Sequence, residues 1–407
     1  MFTPADEVTT GARLRTLRRW RGMSQVTLAG LAGVSPAYIS MVEQGQRTLD
    51  RRSSIAAIAS ALRISETDLV GGPHLSSDAQ QADPHTAIPA LRAALATNAV
   101  LEPAVEQARP LPELVSAVAE RVLPLRLAGD YTGVGAVLPD VIDELHVHVA
   151  RPADEAGRRL ALATLIEACV AATDMANTLR YTDLAQVAAL HAGSAASLLD
   201  DPVHQGKAAV LSLFAFPRER SWERRLAAAE RAADALEPHA RAPLAFQVLG
   251  MLTLHAALAA TVLHRSQVAT HWLSEASQLA GRVPDDIARN WQYFSATNVA
   301  IWHLVISAEQ GDTGRILTLA SAVNQDKITV RARKADFLAE AGRGLCREPK
   351  TRGQAVHWLR QAEAAAPQRI RNNPAVRQSV AFLLNRATTT AVGRDLRGMA
   401  ARMGVPH

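Results

Sequence analysis

The stretch "RGMSQVTLAGLAGVSPAYISMVEQGQRTLDRR", residues 21–52, contains the sharpest local structure signals in the chain. Ser24 stands before "QVTLAGLA" and Ser35 stands before "PAYISMVE", and serine is a preferred N-cap residue. Pro36 takes the first helical position, where its missing N–H costs nothing, and Gly33 supplies the turn. The stretch therefore predicts two short helices joined by a tight turn.

The remainder of the 407-residue chain is also predicted to be helical. Hydrophobic residues make up 48% of it and aromatic residues only 4%, while alternation of β-branched residues is scarce. A chain of this length exceeds one ordinary core. We predict an all-α protein with a five-helix N-terminal domain at 1–70. A linker rich in Gly, Pro, Ser and Asp follows at 71–85, and a second helical domain occupies 86–407.

Positive charge is concentrated in the N-terminal domain. Between residues 11 and 63 there are nine Arg, and the only acidic residues are Glu43 and Asp50. The net charge of the whole chain is only +5, so the excess of Arg in residues 11–63 is a better guide to a binding partner than the total charge. A compact cationic patch attracts a polyanion, and the phosphates of a nucleic acid are the obvious one.

Residues 11–69 resemble the phage-repressor-like, XRE-type helix-turn-helix family. The segments "LRTLRRWRGMSQ", "LAGLAGVSPAYISMVEQGQR" and "IAAIASAL" follow one another in the order and spacing of that family. The resemblance implies that the second helix of the motif enters the major groove of double-stranded DNA. It also implies an ion pair between Arg18 and Glu43 that ties the first helix to the third.

The same resemblance assigns roles to single residues. Gln25 is expected to donate to a phosphate, and Arg51 lies where family members place an Arg in the minor groove. Neutralisation of phosphates is an equal alternative for each of the arginines that follow the recognition helix. No Gln, Asn or Arg stands at the front of that helix, so direct base readout is expected to be thin. The implied DNA-binding residues are Ser24, Gln25, Ser35, Pro36, Ala37, Tyr38, Ser40, Met41, Gln44, Arg47, Arg51 and Arg52.

Internal similarity in the second domain indicates repeated helical hairpins. The segments "SQVATHWLSEASQLA", "GDTGRILTLASAV" and "GQAVHWLRQAEAAAP" each have the pattern of a second hairpin helix. Ala355, Ala362 and Pro367 match the small-residue and proline spacing of the second helix of a tetratricopeptide (TPR) repeat. The units recur about every 40 residues instead of the regular ~34. We therefore predict a degenerate, TPR-like antiparallel α-solenoid.

Residues 293–323, with "APQRIRNNPAVRQ" and "LRGMAARMGV", are similar to the C-terminal half of a family of actinobacterial helix-turn-helix regulators with TPR-like sensor regions. This likeness extends roughly over residues 110–405. The architecture also resembles the peptide-pheromone receptors, in which a concave superhelix holds a short peptide and Asn side chains grip its backbone. These resemblances imply a sensor domain.

Polar or aromatic residues within helices of the sensor region are the candidates for ligand contacts. A buried Asn must satisfy both its carbonyl and its amide, so it faces another polar group or a ligand. A hydrogen bond to a neighbouring helix is the alternative for each Asn, and a place in the core is the alternative for a Trp. The predicted ligand-binding residues are Asn177, Asn290, Gln292, Asn298 and Trp302.

No pattern in the sequence indicates an enzyme. Gly-rich phosphate loops and G-x-S-x-G are absent, and His146 and His148 would project about 200° apart on a helix. We therefore expect no catalytic residue, no cofactor and no metal. Cys169 and Cys346 are expected to be buried thiols in a reducing cytosol. The apolar run 248–263 is shorter than a membrane span and no signal peptide is evident, which favours a cytoplasmic protein without a membrane partner.

Together these features favour a sequence-specific transcriptional regulator. We expect a homodimer, because one small domain with a sparse recognition helix buries too little surface for operator affinity. The TPR-like domain is expected to dimerise and to bind a small molecule or short peptide near Asn298. The alternative is a scaffold whose helical array binds a partner protein while the N-terminal domain tethers it to DNA.

Overall fold

The structure is a computed structural model that describes residues 9–72, 79–98, 101–215, 222–386 and 391–405. Within these ranges 78% of the model is helical and no β-strand occurs, which confirms the all-α class. The N-terminal domain consists of five helices, as predicted. They are α1 (Thr10–Trp20), α2 (Gln25–Ala32), α3 (Pro36–Glu43), α4 (Arg52–Leu62) and α5 (Glu66–Val70).

Local capping defines the pair α2 and α3. Ser24 Oγ accepts a hydrogen bond from the backbone N–H of Thr27 at 3.0 Å, and Ser35 Oγ accepts one from Tyr38 at 3.1 Å. Gly33 between them has a φ of 64°, a left-handed conformation that favours glycine. The predicted caps and turn are confirmed. The core of this domain includes the partly buried Leu17 and six fully buried residues: Leu14, Leu28, Ile39, Val42, Ile58 and Leu62.

Helix follows helix through the rest of the described chain. We call α7 to α24 the array. The helices after α5 are α6 (Ala79–Thr86), α7 (Ile88–Thr97), α8 (Leu111–Ser116), α9 (Leu123–Ala128), α10 (Tyr131–Gly135), α11 (Leu138–Ala150), α12 (Glu155–Thr178), α13 (Thr182–Leu199), α14 (Pro202–Ala215), α15 (Trp222–Leu236), α16 (Pro243–Val262), α17 (Ser266–Ala280), α18 (Ala296–Gln310), α19 (Thr313–Ala322), α20 (Arg331–Leu345), α21 (Arg352–Ala365), α22 (Pro367–Arg371), α23 (Pro374–Leu384) and α24 (Ala391–Arg402). A π-helical segment, Ala117–Val122, joins α8 to α9.

The predicted linker 71–85 differs in part from the structure. Residues 73–78 lie outside the described residues, and α6 begins at Ala79, so the second half of the stretch is helical and contains Pro84. The helix was not predicted because it is polar, is only about two turns long and has no apolar face in its sequence. The domain boundary itself stays a prediction.

Three apolar clusters hold the array together. The first joins α7 to α14, the second joins α14 to α18, and the third joins α18 to α24. Helices pack mainly on their neighbours along the chain, most extensively α12 on α13, α16 on α17 and α20 on α21. This order of packing is what a stacked hairpin array requires, whereas the TPR-like solenoid geometry stays a prediction.

Helix α16 corrects one expectation from the sequence. It runs over 20 residues, so it is long and apolar enough to cross a membrane by length and composition, as is α12. The apolar run used in the sequence analysis, 248–263, leaves out residues 243–247, with which the helix begins. Within the fold, 94% of the apolar window of α16 and 72% of that of α12 are buried. Both helices therefore serve as core helices in this structure, and the absence of a membrane partner stays a prediction.

Candidate nucleic-acid interface and adjoining cavities

Helix α3, the recognition helix, presents one open face. Ile39 and Val42 point into the core of the N-terminal domain. The opposite face carries the residues that the sequence assigned to base contacts. Three of them are exposed and two are half-buried: Ser35, Pro36 and Ala37, then Ser40 and Met41. This face has few side-chain hydrogen-bonding groups, which agrees with the expectation of few direct hydrogen bonds to bases.

Glu43, at the end of α3, joins three helices. Its carboxylate accepts hydrogen bonds from Arg18 Nε at 2.6 Å and from Gln25 Nε2 at 2.9 Å, and Arg15 lies 3.7 Å away. Burial alone would raise the pKa of Glu43, but the hydrogen bonds and charges of its partners lower the pKa overall. The predicted ion pair of Arg18 and Glu43 is confirmed. Gln25 uses its amide N–H on Glu43, so its predicted phosphate contact stays a prediction.

The remaining predicted DNA-binding residues beside α3 lie at its rim. Arg47 is exposed, with its guanidinium 5.2 Å from the centre of the half-buried Tyr38 ring. Gln44 is exposed and donates to Ser40 Oγ at 3.0 Å. Ser24 is exposed at the start of α2. Arg47 is therefore a cation that the fold leaves open to a phosphate beside the recognition helix.

Residues 50–53, which we call the docking loop, connect the N-terminal domain to the array. Asp50 is buried, and both its carboxylate oxygens accept hydrogen bonds from Arg347 Nη2, at 3.0 and 2.9 Å. Its backbone carbonyl accepts another from Arg343 at 3.1 Å. Burial would raise the pKa of Asp50, but the charges of Arg347 and Arg343 lower it overall. The carboxylate therefore stays ionised and paired with the array.

The next two residues of the docking loop also contact the array. The Arg51 guanidinium lies against the backbone of Gly311, where a Cβ would overlap it. Arg52 lies 3.6 Å from Glu309 and 3.9 Å from Glu340. These arginines therefore face acidic or backbone groups of the array in this conformation. The minor-groove contact expected of Arg51 and the DNA contact expected of Arg52 both stay predictions.

Further hydrogen bonds span the two domains. Trp222 Nε1 donates to Glu66 Oε1 at 3.1 Å, and Arg180 donates to the carbonyl of Gly71 at 3.3 Å. Gln378 bonds the hydroxyl of Thr10, and Arg386 bonds the carbonyl of Gln46. The N-terminal domain is thus held to the array from both sides of the docking loop.

An interdomain cavity of about 340 Å³ lies behind the docking loop. Its walls include Leu49 and Ile55 of the N-terminal domain and Trp302 and Asn177 of the array. Its charged lining is unbalanced, with seven arginines against four carboxylates. These residues are Arg52, Arg126, Arg180, Arg225, Arg333, Arg343 and Arg369, with Asp50, Asp174, Asp336 and Glu340.

A second cavity, of about 390 Å³, lies within the array, and we call it the array cavity. It is enclosed by the π-helical segment, α9, α12, α14, α16 and residues 288–293. Arg126 and Gln292 line both cavities. A change in the position of either side chain therefore alters the lining of both cavities.

The predicted ligand-binding residues do not form one site. Asn177 and Trp302 line the interdomain cavity, Asn290 lines the array cavity, and Gln292 lines both. Asn298 lines neither, and its carbonyl accepts a hydrogen bond from Arg333 at 2.7 Å. The expected site centred on Asn298 therefore does not coincide with either of these two cavities, and ligand contact there stays a prediction.

Several of these candidates have partners within the protein, which is the alternative weighed from the sequence. Asn177 donates to the carbonyl of Phe214 at 3.3 Å, and Trp302 makes an edge contact with His255. Asn290 donates to the carbonyls of Pro284 and Phe294, both at 2.6 Å. Both N–H groups of Asn290 are thereby used on its own loop.

The residues that hold the docking loop, and the buried Arg126, were missed from the sequence. Glu309, Glu340, Arg343 and Arg347 meet the docking loop only through contacts made across more than 250 residues. Arginine is frequent throughout this chain, so no single one stands out by spacing. The one available signal was Arg126, a charge inside the otherwise apolar run "VLPLRLAG".

The described residues show neither a reactive thiol nor a cluster of metal ligands. Cys169 and Cys346 are buried free thiols, and burial raises the pKa of each to about 12. Such thiols are poor nucleophiles and poor ligands at neutral pH. Within the described ranges no group of three or more His, Cys, Asp or Glu could hold a metal ion.

The comparison with known proteins agrees with the geometry of the N-terminal domain. Residues 10–70 match the family model described as "Helix-turn-helix domain". No characterised protein and no solved structure matches the chain. The capped pair α2 and α3, the confirmed ion pair and the family match together identify residues 10–70 as a helix-turn-helix DNA-binding domain of the phage-repressor-like type.

Proposed function

We propose that the chain is a sequence-specific transcriptional regulator that binds DNA as a homodimer and that its array senses a small ligand. The helix-turn-helix domain supplies the DNA-binding activity. Dimer formation and ligand sensing are the parts that we add. A helix-turn-helix domain of this size needs no large helical array in order to bind DNA. This supports a further role for the array.

The observation that carries the proposal is the attachment of the docking loop. Residues 50–53 lie close behind the recognition helix in the chain, and each of them contacts the array. The open face of α3, in contrast, remains exposed. Movement of the array therefore changes the position of the recognition helix, while the exposed face of that helix stays free to contact DNA. Paired buried charges such as Asp50 and Arg347 fix an orientation more than they add stability.

A homodimer gives this orientation a function. Two recognition helices must reach half-sites separated by about one turn of DNA, roughly 34–36 Å, so their spacing decides the affinity for an inverted repeat. A single recognition helix with few polar side chains gains little affinity alone. We place the dimer contact in the array. At the C-terminal end of the array, α23 packs on α20 and α21, and α24 packs on α21.

The test compares a complete operator with a half-site. Duplexes selected from a random library by the full chain would supply both, and fluorescence anisotropy at fixed salt would measure affinity. Arg347→Met removes the partner of Asp50 and is expected to weaken binding to the complete operator about tenfold. Binding to the half-site is expected to stay unchanged, because α3 itself is intact. Arg241→Met, at an exposed array arginine, is the matched control.

Three results would contradict the proposal. If no duplex is selected, the chain is better described as an interaction scaffold. A monomer by light scattering, both free and on the operator, would exclude the dimer. If Arg347→Met lost the same affinity for the operator and for the half-site, the docking loop would act on folding of the N-terminal domain and not on the spacing of the two recognition helices.

A further inference from the structure

The array cavity combines apolar walls with two buried cations, Arg126 and Lys207. Its lining includes Val118, Val122 and Leu123 on one side and Val170 and Leu244 on the other. Its volume lies within the ~300–1,000 Å³ typical of small-molecule sites. Such a composition suits a ligand with an apolar body.

Arg126 is one of these two cations, and it makes no salt bridge among the described residues, although its guanidinium lies 5.6 Å from the centre of the Tyr293 ring. Its side chain is 4% exposed, and no described carboxylate lies within 4.0 Å of it. Its one hydrogen bond, to Gln292 Oε1, is long at 3.5 Å, and its Nε has no partner in the described structure. An Arg cannot give up its proton, so a buried guanidinium left unpaired is costly.

Lys207, in the same cavity, shows the contrast. Its ammonium is also buried, but it lies 2.5 Å from the carboxylate of Glu167. The fold therefore gives Lys207 a direct salt bridge and gives Arg126 none. Burial alone would lower the pKa of Arg126, and the charges of Tyr293, Asp174, Tyr131 and Glu167, acting without a salt bridge, raise it overall.

A second donor without a partner lies in the same cavity. Trp291 Nε1 has no hydrogen-bond partner among the described residues. The residues that follow it, Gln292 and Tyr293, have φ values of 49° and 68°, which are strained for residues with a side chain. Gln247 holds this segment by accepting from the backbone N–H of Trp291 at 2.8 Å. Strained backbone of this kind is concentrated at ligand clamps and switches.

We propose that the array cavity binds an apolar carboxylate, with its carboxylate paired to the Arg126 guanidinium and its hydrocarbon body among the valines and leucines. The planar guanidinium fork matches a carboxylate, and Trp291 Nε1 supplies one further donor. In its regulatory part the inference rests on the proposed function. Because Arg126 and Gln292 also line the interdomain cavity, occupancy is transmitted toward Asp50 and Arg52 of the docking loop.

Octanoate and 1-octanol test the assignment, because they share a chain and differ in the carboxylate. Isothermal titration calorimetry on the full chain is expected to show octanoate binding at least tenfold tighter than octanol. Arg126→Met is expected to remove this preference and leave octanol binding unchanged. Trp291→Phe, which removes the N–H donor and keeps an aromatic ring, is expected to weaken octanoate binding several-fold. Arg121→Met, at an exposed arginine of the neighbouring π-helical segment, is the control and keeps the preference.

The outcomes separate the site from the regulatory role. Equal binding of octanoate and octanol by the wild-type chain, binding of neither, or an Arg126→Met variant that keeps the preference overturns the site. Circular dichroism checks that the variant is folded, and if it is not, the wild-type preference and Trp291→Phe decide. Operator affinity with and without octanoate is a separate measurement. A chain that prefers octanoate through Arg126 but keeps the same operator affinity retains the site and loses the sensing role.

Discussion

The backbone N–H of Ser53 donates a hydrogen bond of 2.8 Å to Oε1 of Glu309, 256 residues later in the chain. Ser53 is in the first turn of α4, whose N-cap residue, Arg51, makes no side-chain capping bond. The first N–H groups of a helix need an acceptor, and here the array supplies it. A carboxylate at this position also interacts favourably with the helix dipole.

Glu309→Ala is expected to expose the start of α4. Loss of an N-cap acceptor costs ~0.5–2 kcal/mol, so the amides of Ser53 and Ser54 should exchange several-fold to about 30-fold faster. Hydrogen exchange followed by mass spectrometry would measure this. Glu237→Ala, at an exposed glutamate of the array, should leave these amides protected. Unchanged protection in Glu309→Ala would show that α4 does not depend on the array.

Replacement of Gly311 tests the contact with Arg51. Gly311 has a φ of 83°, and a Cβ there would overlap the Arg51 guanidinium. Gly311→Ala is expected to lower the free energy of unfolding by ~1–3 kcal/mol. Gly30→Ala is the comparison, because nothing lies within 4 Å of the added Cβ in the interior of α2. That substitution is expected to raise stability by ~0.5–1 kcal/mol. Urea denaturation that gives the same sign for both would contradict this account.

The salt dependence of operator binding distinguishes the arginines next to α3. Arg47 is open beside the recognition helix, whereas Arg51 lies on Gly311. Arg47→Ala should reduce the slope of log K against log salt by about 0.9, the release of one counterion. Arg51→Ala should leave the slope unchanged if docking persists on DNA. A reduced slope for Arg51→Ala would instead restore the minor-groove contact expected from the sequence.

Stability should fall on mild acidification because of His255. Burial and then the charge of Arg225 hold its pKa well below the usual 6.5. The unfolded chain therefore binds a proton at higher pH than the folded chain does, and stability drops as the pH falls through 6.5. His255→Gln should remove ~1 kcal/mol of the loss between pH 7.5 and pH 5.5. Urea titrations at the two pH values would measure it, and equal losses in both proteins would contradict it.

The N-terminal domain was predictable because its signals are local. Ser24, Gly33, Ser35 and Pro36 each specify a cap, turn or helix start within a few residues, and the family pattern carried the ion pair of Arg18 with Glu43. The docking loop was not predictable in the same way. Asp50 and Arg347 meet through the stacking of many helices, and neither has a neighbour in the sequence that marks the pair.

The ligand candidates illustrate the same limit. A polar residue in a helix shows that some partner is needed, but not which one. Asn290 uses its amide on the carbonyls of Pro284 and Phe294, and Asn298 accepts from Arg333. Arg126, which makes no salt bridge among the described residues, lies in a short apolar run, where a sequence pattern cannot show whether a carboxylate folds back onto it.

The bond from Ser53 to Glu309 also bears on how such a protein can evolve. A helix-turn-helix domain is often treated as a module that recombination can attach to any sensor. Here a backbone N–H in the first turn of α4 has its hydrogen-bond acceptor on a residue of the array. A gene fusion that moved residues 10–70 onto a different sensor would leave this helix without its acceptor, unless the new partner carried a carboxylate at the corresponding place or a Ser, Thr or Asp replaced Arg51.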